Sequence, residues 1–113
     1  MRVLYVDDHS FLRTVVKRVL ERRGIEVVLC ASVEEAMARD NFTFDLIVCD
    51  VHMPPAWGHE FYWWLSREHP STLDAFVFVS GTTDYKMPRE MPEGVPVLPK
   101  PFDVDQLLAL ARH

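Results

Sequence analysis

Short apolar runs alternate along this chain with segments whose apolar residues have helical spacing, and this alternation limits the fold more than any other feature. A continuous apolar run bounded by polar residues is typical of a strand buried on both faces of a sheet. Strands that alternate with helices are typical of a parallel sheet with helices packed against it. The sequence therefore predicts an α/β fold with five strands, at residues 3–6, 25–30, 44–49, 75–79 and 95–98.

The segments between these strands contain the start and stop signals of helices. From Ser10 onward apolar residues recur at helical spacing with basic residues between them, and Gly24 provides a C-cap. Ser32 followed by Glu35 forms a capping box, which opens a short helix. We predict helices from Ser10 to Gly24, at residues 32–38, from about His59 to Glu68 after a Pro-Pro break, and after a cap at Asp103.

The segment between the fourth and fifth strands departs from this pattern. Residues 82–96 contain three prolines and one glycine, and they lack a sustained apolar stripe. Each proline inside a helix costs about 3 kcal/mol, so we predict a loop or single turns in which the fourth helix is missing or degenerate. Pro99 lies next to the fifth strand and favours an edge position, where a missing N–H donor does least harm.

Length and charge restrict the classes of function. A chain of 113 residues, 49% of them apolar, has material for one packed domain over residues 1–113 and is too short for two. The net charge of −5 repels phosphate backbones and anionic lipid, which disfavours generic binding to nucleic acid or to a membrane. No uncharged apolar stretch approaches the roughly 18 residues of a membrane-spanning helix, and we expect no signal peptide.

The two cysteines, Cys30 and Cys49, each end an apolar run. A buried free thiol is the common interpretation at such a position, and a disulfide is the rarer one. We therefore expect a reducing, cytoplasmic location.

Polar side chains follow the predicted strands where each of them ends. In a parallel open sheet all carboxyl ends lie at one edge, and ligands bind in the crevice there. We therefore expect one site formed from five residues: Asp7, Asp8, Asp50, Ser80 and Lys100.

Three carboxylates in one site predict a bound cation. Without it, like charges held close together raise one another's pKa and cannot all be ionised. Ligation by oxygen alone favours Mg²⁺. Lys100 and Ser80 would supply a positive charge and a hydroxyl where phosphoryl oxygens lie, as phosphoryl transfer requires, which leaves one aspartate as the nucleophile.

Five short motifs in this order resemble the receiver domain of two-component response regulators over essentially the whole chain. The resemblance implies a flavodoxin-like, doubly wound, five-stranded parallel sheet with strand order 2-1-3-4-5. The motifs are Val6-Asp7-Asp8, Asp50-Val51-His52-Met53-Pro54, Gly58, Val79-Ser80-Gly81 and Lys100-Pro101-Phe102.

The resemblance also implies the role of each residue. Asp50 would be the phosphoacceptor, and Mg²⁺ would be bound by Asp8, Asp50 and the backbone carbonyl of His52, with Asp7 acting through water. Lys100 would pair with the carboxylate and then with the phosphoryl group.

Ser80 would bond the phosphoryl group after transfer, and the Lys100–Pro101 peptide bond would be cis. The donor would be a phosphohistidine of a histidine kinase or a histidine phosphotransfer protein. The domain would act on an unknown downstream protein without being an enzyme beyond its own phosphorylation and dephosphorylation.

Three features depart from the family's pattern. Val97 occupies the position at which receivers usually have a Tyr or Phe that couples to the Ser/Thr. Residues 82–94 are short and proline-rich, so the usual signalling face would be remodelled, and we predict that this segment responds to a bound phosphate analogue. His52 lies two residues after Asp50, where side chains in the family tune the access of water to the acyl phosphate.

The aromatic run at residues 61–65 covers more than one helical turn, so it cannot lie on a single buried stripe. We favour the interpretation that these rings cover core left open by the missing fourth helix. The alternative is a partner surface or a homodimer through the third helix. The remaining histidines are interpreted as surface residues without a role: His9, His59, His69 and His113.

Other functions are compatible with part of this pattern. A receiver fold could act as a docking module without phosphorylation, although clustered acids would then be unnecessary. A small Mg²⁺-dependent phosphohydrolase of the haloacid dehalogenase type would need Asp-x-Asp and a cap domain, whereas this chain has Asp7-Asp8 and no room for a cap. Nucleotide binding of the flavodoxin type is less favoured because the first turn is acidic.

Overall fold

The computed structural model of this chain describes residues 1–81 and 90–111. Its strands are β1 Arg2–Val6, β2 Glu26–Cys30, β3 Leu46–Asp50, β4 His52–Met53, β5 Ala56–Trp57, β6 Phe76–Ser80 and β7 Val97–Pro99. Five of them form one parallel sheet in the order β2-β1-β3-β6-β7, which confirms the predicted fold and strand order. The two-residue strands β4 and β5 form a separate antiparallel hairpin directly after β3.

Within the described residues three α-helices lie between strands and a fourth follows the last strand, and the caps of two of them follow the sequence signals. The Ser32 hydroxyl accepts a hydrogen bond from the Glu35 N–H, and Asp103 accepts one from the Asp105 N–H. Gly24 has the positive φ of +77° that the end of the first helix requires. The helices are α1 Ser10–Glu21, α2 Val33–Met37, α3 Gly58–Glu68 and α4 Val104–Leu108, with a 3-10 helix at Pro70–Ala75.

The central strands are buried on both faces because their side chains alternate between two apolar layers. On one face Leu4 and Val6 of β1 pack with residues of α2 and α3. On the other face Val3 and Tyr5 pack with residues of α1 and α4. This is the doubly wound arrangement, and it places every strand's carboxyl end at the same edge.

All five strands differ from the predicted ranges by one residue or more, and the third and fifth strands begin two residues later than predicted. The third strand begins at Leu46 and includes Asp50, so the catalytic candidate belongs to the strand itself. The fifth strand begins at Val97 and not at Val95, because Pro96 has no N–H for a ladder and contributes only its carbonyl, which accepts from Phe78. This strand lies at the sheet edge, as predicted.

The aromatic run of α3 mostly covers the sheet. Phe61 is fully buried, and the Tyr62 ring packs edge-on against Phe76 with centroids 5.2 Å apart. Trp63 is 40% exposed, and its indole N–H donates a 2.6 Å hydrogen bond to the Glu90 carbonyl. The aromatic residues of α3 therefore chiefly cover the apolar core, and Trp63 lies at the outer edge of this run.

The segment predicted as a loop, residues 82–96, lies only partly within the described residues, because residues 82–89 are outside them. Residues 90–96 contain turns and no helix or strand. Among the helices that the structure describes, none has the length and apolar composition to cross a membrane. Cys30 and Cys49 are both buried and free, as predicted.

Candidate functional site

Asp7 is the most deeply buried member of the site. It continues the β1 ladder beyond Val6, since its N–H donates to the Cys30 carbonyl, and its side chain has no exposed surface. The Tyr5 hydroxyl, two residues earlier on the same face of the strand, donates a 2.8 Å hydrogen bond to Asp7 Oδ2. The adjacent Asp8 side chain is 38% exposed.

Asp50 lies at the end of β3 under the turn that leads into α3. It is 4% exposed, and the backbone of Gly58 is packed directly on it. A Cβ atom at Gly58 would stand 2.2 Å from the Asp50 carbonyl oxygen, so no other residue fits without moving the backbone. The Gly58 N–H also donates a 2.7 Å bond to the Val51 carbonyl, which closes the turn.

Lys100 contacts both buried acids, Asp7 and Asp50. Its Nζ donates a 2.7 Å hydrogen bond to Asp7 Oδ2 and another of 2.7 Å to Asp50 Oδ2. Its backbone N–H donates to the Ser80 carbonyl at 2.7 Å, which ties the end of β7 to β6. The structure thus brings together residues 93 positions apart in the sequence.

Ser80 and His52 line the same cavity. Its volume is about 510 Å³, and its walls include Asp50, Ser80, Lys100 and His52. The His52 N–H lies 3.4 Å from Asp50 Oδ1. The β4–β5 hairpin pairs His52 with Trp57, and their ring centroids are 4.8 Å apart. The Lys100–Pro101 peptide bond is cis, as the resemblance implies, and Pro54–Pro55 is cis as well.

The two central carboxylates differ in their ionisation. Burial acts to raise the pKa of Asp7, but hydrogen bonds from Lys100 and the His9 N–H and the charge of Lys100 outweigh it and lower that pKa. Burial raises the pKa of Asp50, the charge of Asp7 adds to the rise, and the hydrogen bond from Lys100 offsets it only in part.

The two acids also affect the pKa values of Lys100 and Tyr5. Burial acts to lower the pKa of Lys100, yet the hydrogen bonds to Asp50 and Asp7 raise it, so the ammonium stays charged. Burial and the nearby charge of Asp7 raise the pKa of Tyr5, so its hydroxyl stays a donor.

The acids at this edge fit a hard divalent cation. One oxygen each from Asp7, Asp8 and Asp50 and one nitrogen of His9 lie within 4.8 Å of one another. Lys100 binds Oδ2 of Asp7 and of Asp50, while Oδ1 of Asp7 contacts the His9 ring and Oδ1 of Asp50 faces the His52 N–H. Oxygen donors that converge on one point are what Mg²⁺ binds.

Sequence reasoning missed two neighbours of the acids. Tyr5 is two positions before Asp7, and the period of two in a strand could have placed it on the same face. His9, interpreted as a surface residue without a role, is indeed 64% exposed, but its ring contacts both Asp7 and Asp8. Its backbone N–H and ring both reach Asp7 Oδ1 because the chain turns back just before α1.

The surface assignment is wrong for His59 and holds only in part for His69. His59 is only 8% exposed and lies beside the Trp57 ring at the start of α3. His69 is half-buried, with its ring centroid 4.6 Å from that of Phe42. An aromatic neighbour in a packed layer buries the ring in both cases. His113 lies outside the described residues.

Comparison with known proteins gives one consistent family. A family model described as the response regulator receiver domain matches residues 3–112. A sensor kinase, CckA of Brucella abortus, is 36% identical over 98% of this chain. The crystal structure of a response regulator receiver protein from Pseudomonas putida superimposes with a TM-score of 0.80 at 30% identity, covering 96% of this chain and 93% of that one.

A further solved structure shares the fold at lower identity. The structure of TrrA from Thermotoga maritima, in complex with Mg²⁺-BeF, has a TM-score of 0.78 at 24% identity and covers 96% of this chain and 93% of that one. The match to the sensor kinase spans only 12% of that protein's length.

Proposed function

This chain belongs to the response regulator receiver family, and on that premise we propose that Asp50 accepts a phosphoryl group from a phosphohistidine. Receiver domains are signalling domains of two-component systems. The observation that carries the proposal is the pair of 2.7 Å hydrogen bonds by which Lys100 holds Asp7 and Asp50 together at the carboxyl edge.

In the proposed step a carboxylate oxygen of Asp50 attacks the phosphorus atom of the donor. An oxygen–phosphorus bond forms, the nitrogen–phosphorus bond breaks, and the released imidazole takes up a proton. Lys100 orients the carboxylate before transfer and pairs with the phosphoryl group afterwards. Ser80, in the wall of the same cavity, then donates a hydrogen bond from its hydroxyl to a phosphoryl oxygen.

Mg²⁺ is the proposed cofactor. Asp8, Asp50 and the backbone carbonyl of His52 would hold it, with Asp7 acting through water. When bound, it supplies positive charge that neutralises the carboxylates and the phosphoryl oxygens. Support comes from the convergence of the acids within 4.8 Å and from the Mg²⁺-BeF complex of TrrA.

The proposed partners are a histidine kinase or a histidine phosphotransfer protein upstream and a protein target downstream. Output is a protein–protein interaction that depends on phosphorylation of Asp50. The free thiols of Cys30 and Cys49 support the reducing cytoplasm that the sequence predicts.

A second candidate function is docking without phosphorylation. It is favoured by Val97, which is 38% exposed on β7 in place of the family's aromatic residue. Against it stands the intact ion pair of Lys100 with two buried acids, since a docking module has no use for such a cluster.

Labelling with acetyl phosphate tests the proposal. We expect the protein to gain one phosphoryl group in intact mass spectra when Mg²⁺ is present, and to lose this gain with EDTA. Asp50→Asn should abolish labelling, whereas the exposed Asp40→Asn should not change it. An unlabelled wild-type protein in Mg²⁺ would contradict the proposal and favour docking.

A further inference from the structure

We propose that His9 provides a nitrogen ligand at the acid cluster, so that this receiver binds first-row transition-metal ions by a histidine-dependent route. The inference rests on the metal site of the proposed function and adds to it a side chain that the receiver resemblance does not assign. It concerns which ion the site prefers.

The distances around the His9 ring suit a ligand. His9 Nδ1 lies 3.0 Å from Asp7 Oδ1 and 3.1 Å from Asp8 Oδ1. In an octahedral site with metal–ligand bonds of about 2.1 Å, adjacent ligand atoms are about 3.0 Å apart. The 3.1 Å separation from Asp8, which holds the ion directly in the proposed function, therefore matches one edge of such a site.

The Asp50 oxygen requires only a small closure. The candidate ligand atoms of Asp8, Asp50 and His9 lie within 4.8 Å of one another, whereas opposite ligands of an octahedron are about 4.2 Å apart. The Asp8 and His9 side chains, 38% and 64% exposed, have room to make that adjustment. Asp7 and Asp50 are buried and fixed by Lys100.

The backbone holds His9 in place. Its N–H donates a 3.0 Å hydrogen bond to Asp7 Oδ1, which fixes the turn between β1 and α1. Its φ and ψ of −85° and 106° are extended, and the ring nitrogen that faces the acids is Nδ1. An exposed ring loses little hydration when it binds an ion, so ligation costs little desolvation.

The type of ligand atom decides which metal ion the site prefers. Carboxylate, carbonyl and water oxygens suit Mg²⁺, whereas an imidazole nitrogen adds affinity for Co²⁺, Ni²⁺ or Zn²⁺. A cluster of Asp7, Asp8 and Asp50 alone has no such preference beyond the general order of the metals. With His9 included, removal of its ring should lower Co²⁺ affinity far more than Mg²⁺ affinity.

A competing account gives the opposite sign. If the His9 ring only donates hydrogen bonds to Asp7 and Asp8, it occupies the place of a cation and competes with it. His9→Ala would then raise the affinity for Mg²⁺ and for Co²⁺ alike.

Calorimetric titration at pH 8 separates these accounts. We expect His9→Ala to lower Co²⁺ affinity by about tenfold or more while Mg²⁺ affinity changes little. His69→Asn, which alters an imidazole remote from the acids, should keep both affinities. Equal loss or equal gain for the two ions in His9→Ala would overturn the inference.

Electron spin echo spectroscopy of the Mn²⁺-loaded protein tests ligation directly. We expect nitrogen modulation from a bound imidazole in the wild type and in His69→Asn, and its loss in His9→Ala. Wild-type protein without nitrogen modulation would overturn the inference. If Mg²⁺ still supports labelling of Asp50 in that case, only the role of His9 fails; if no divalent ion binds or supports labelling, the proposed function fails as well.

Discussion

Asp7 and Asp50 lie at the ends of neighbouring strands and share one lysine, yet their ionisation shifts in opposite directions. The pKa of Asp7 is lowered and that of Asp50 is raised. Both are buried, at 0% and 4% exposed, and each accepts a 2.7 Å hydrogen bond from Lys100. Burial and the lysine are common to both, so the difference comes from their other partners.

The carboxylate of Asp7 accepts more hydrogen bonds than the carboxylate of Asp50. Asp7 also accepts hydrogen bonds from the Tyr5 hydroxyl and the His9 N–H, at 2.8 and 3.0 Å. Besides the bond from Lys100, the Asp50 carboxylate has only the long 3.4 Å contact with the His52 N–H among the described residues. A carboxylate with occupied lone pairs is a fixed charge, whereas one with accessible lone pairs suits nucleophilic attack. The comparison supports Asp50 as the phosphoacceptor.

Removing the shared lysine should have the largest effect, because both acids then lose their cation. For Lys100→Met we expect the free energy of unfolding in urea without Mg²⁺ to fall by about 3–5 kcal/mol. Added Mg²⁺ should restore part of it. Lys17→Met, on the exposed face of α1, should change the value by less than about 0.5 kcal/mol. Equal effects of the two substitutions would show that the acids do not depend on Lys100.

Asp7→Asn should destabilise the protein by about 1.5–3 kcal/mol at neutral pH, since the buried anion loses charge-assisted hydrogen bonds. A lowered pKa means that the stabilisation is present above the ordinary carboxyl pKa, about 4. It disappears as the pH falls through the lower pKa of the folded state. The wild-type and variant stabilities should therefore converge below pH 4. A difference that persists at acid pH would contradict this account.

The turn over Asp50 can be perturbed without changing any charge. Gly58→Ala should lower the free energy of unfolding by about 1–3 kcal/mol, because its Cβ would meet the Asp50 carbonyl at 2.2 Å. Gly81→Ala is the matched control, since its nearest neighbour is the Lys100 Cδ at 4.0 Å. Amide shifts in Gly58→Ala should change at Asp50 more than at Asp7. Equal shifts at both acids would mean that the turn does not act on β3 selectively.

The sequence located Asp7, Asp50 and Lys100 because parallel strands end at one edge, so strand positions alone are enough. The asymmetry between the acids was not predictable in this way. It depends on the turn that brings the His9 N–H back to Asp7, and apolar spacing says nothing about the backbone of a turn. The contact of Gly58 with the Asp50 carbonyl is of the same kind, since it is an approach of two backbones.

The start of the fifth strand, at the sheet edge, is another feature that apolar spacing does not predict. The fifth strand was predicted from its apolar residues, but Pro96 prevents the ladder from starting where they start. Two of the histidines were misplaced because the spacing of an imidazole does not distinguish a solvated ring from one packed beside an aromatic layer. His59 and His69 are of the packed kind.

The smallest effect, and the sharpest for the comparison, is expected from Asp50→Asn, which should stabilise the protein without Mg²⁺ by about 1 kcal/mol. The amide oxygen can still accept from Lys100, while the repulsion with Asp7 disappears. A raised pKa means that the charged Asp50 costs stability at neutral pH and that the wild type recovers it as the pH falls through that pKa. Urea titrations should therefore show both variants converging on the wild type at acid pH, Asp50→Asn from above and Asp7→Asn from below. Convergence from the same side would mean that the two carboxylates are equivalent and that the partners of Asp7 do not set them apart.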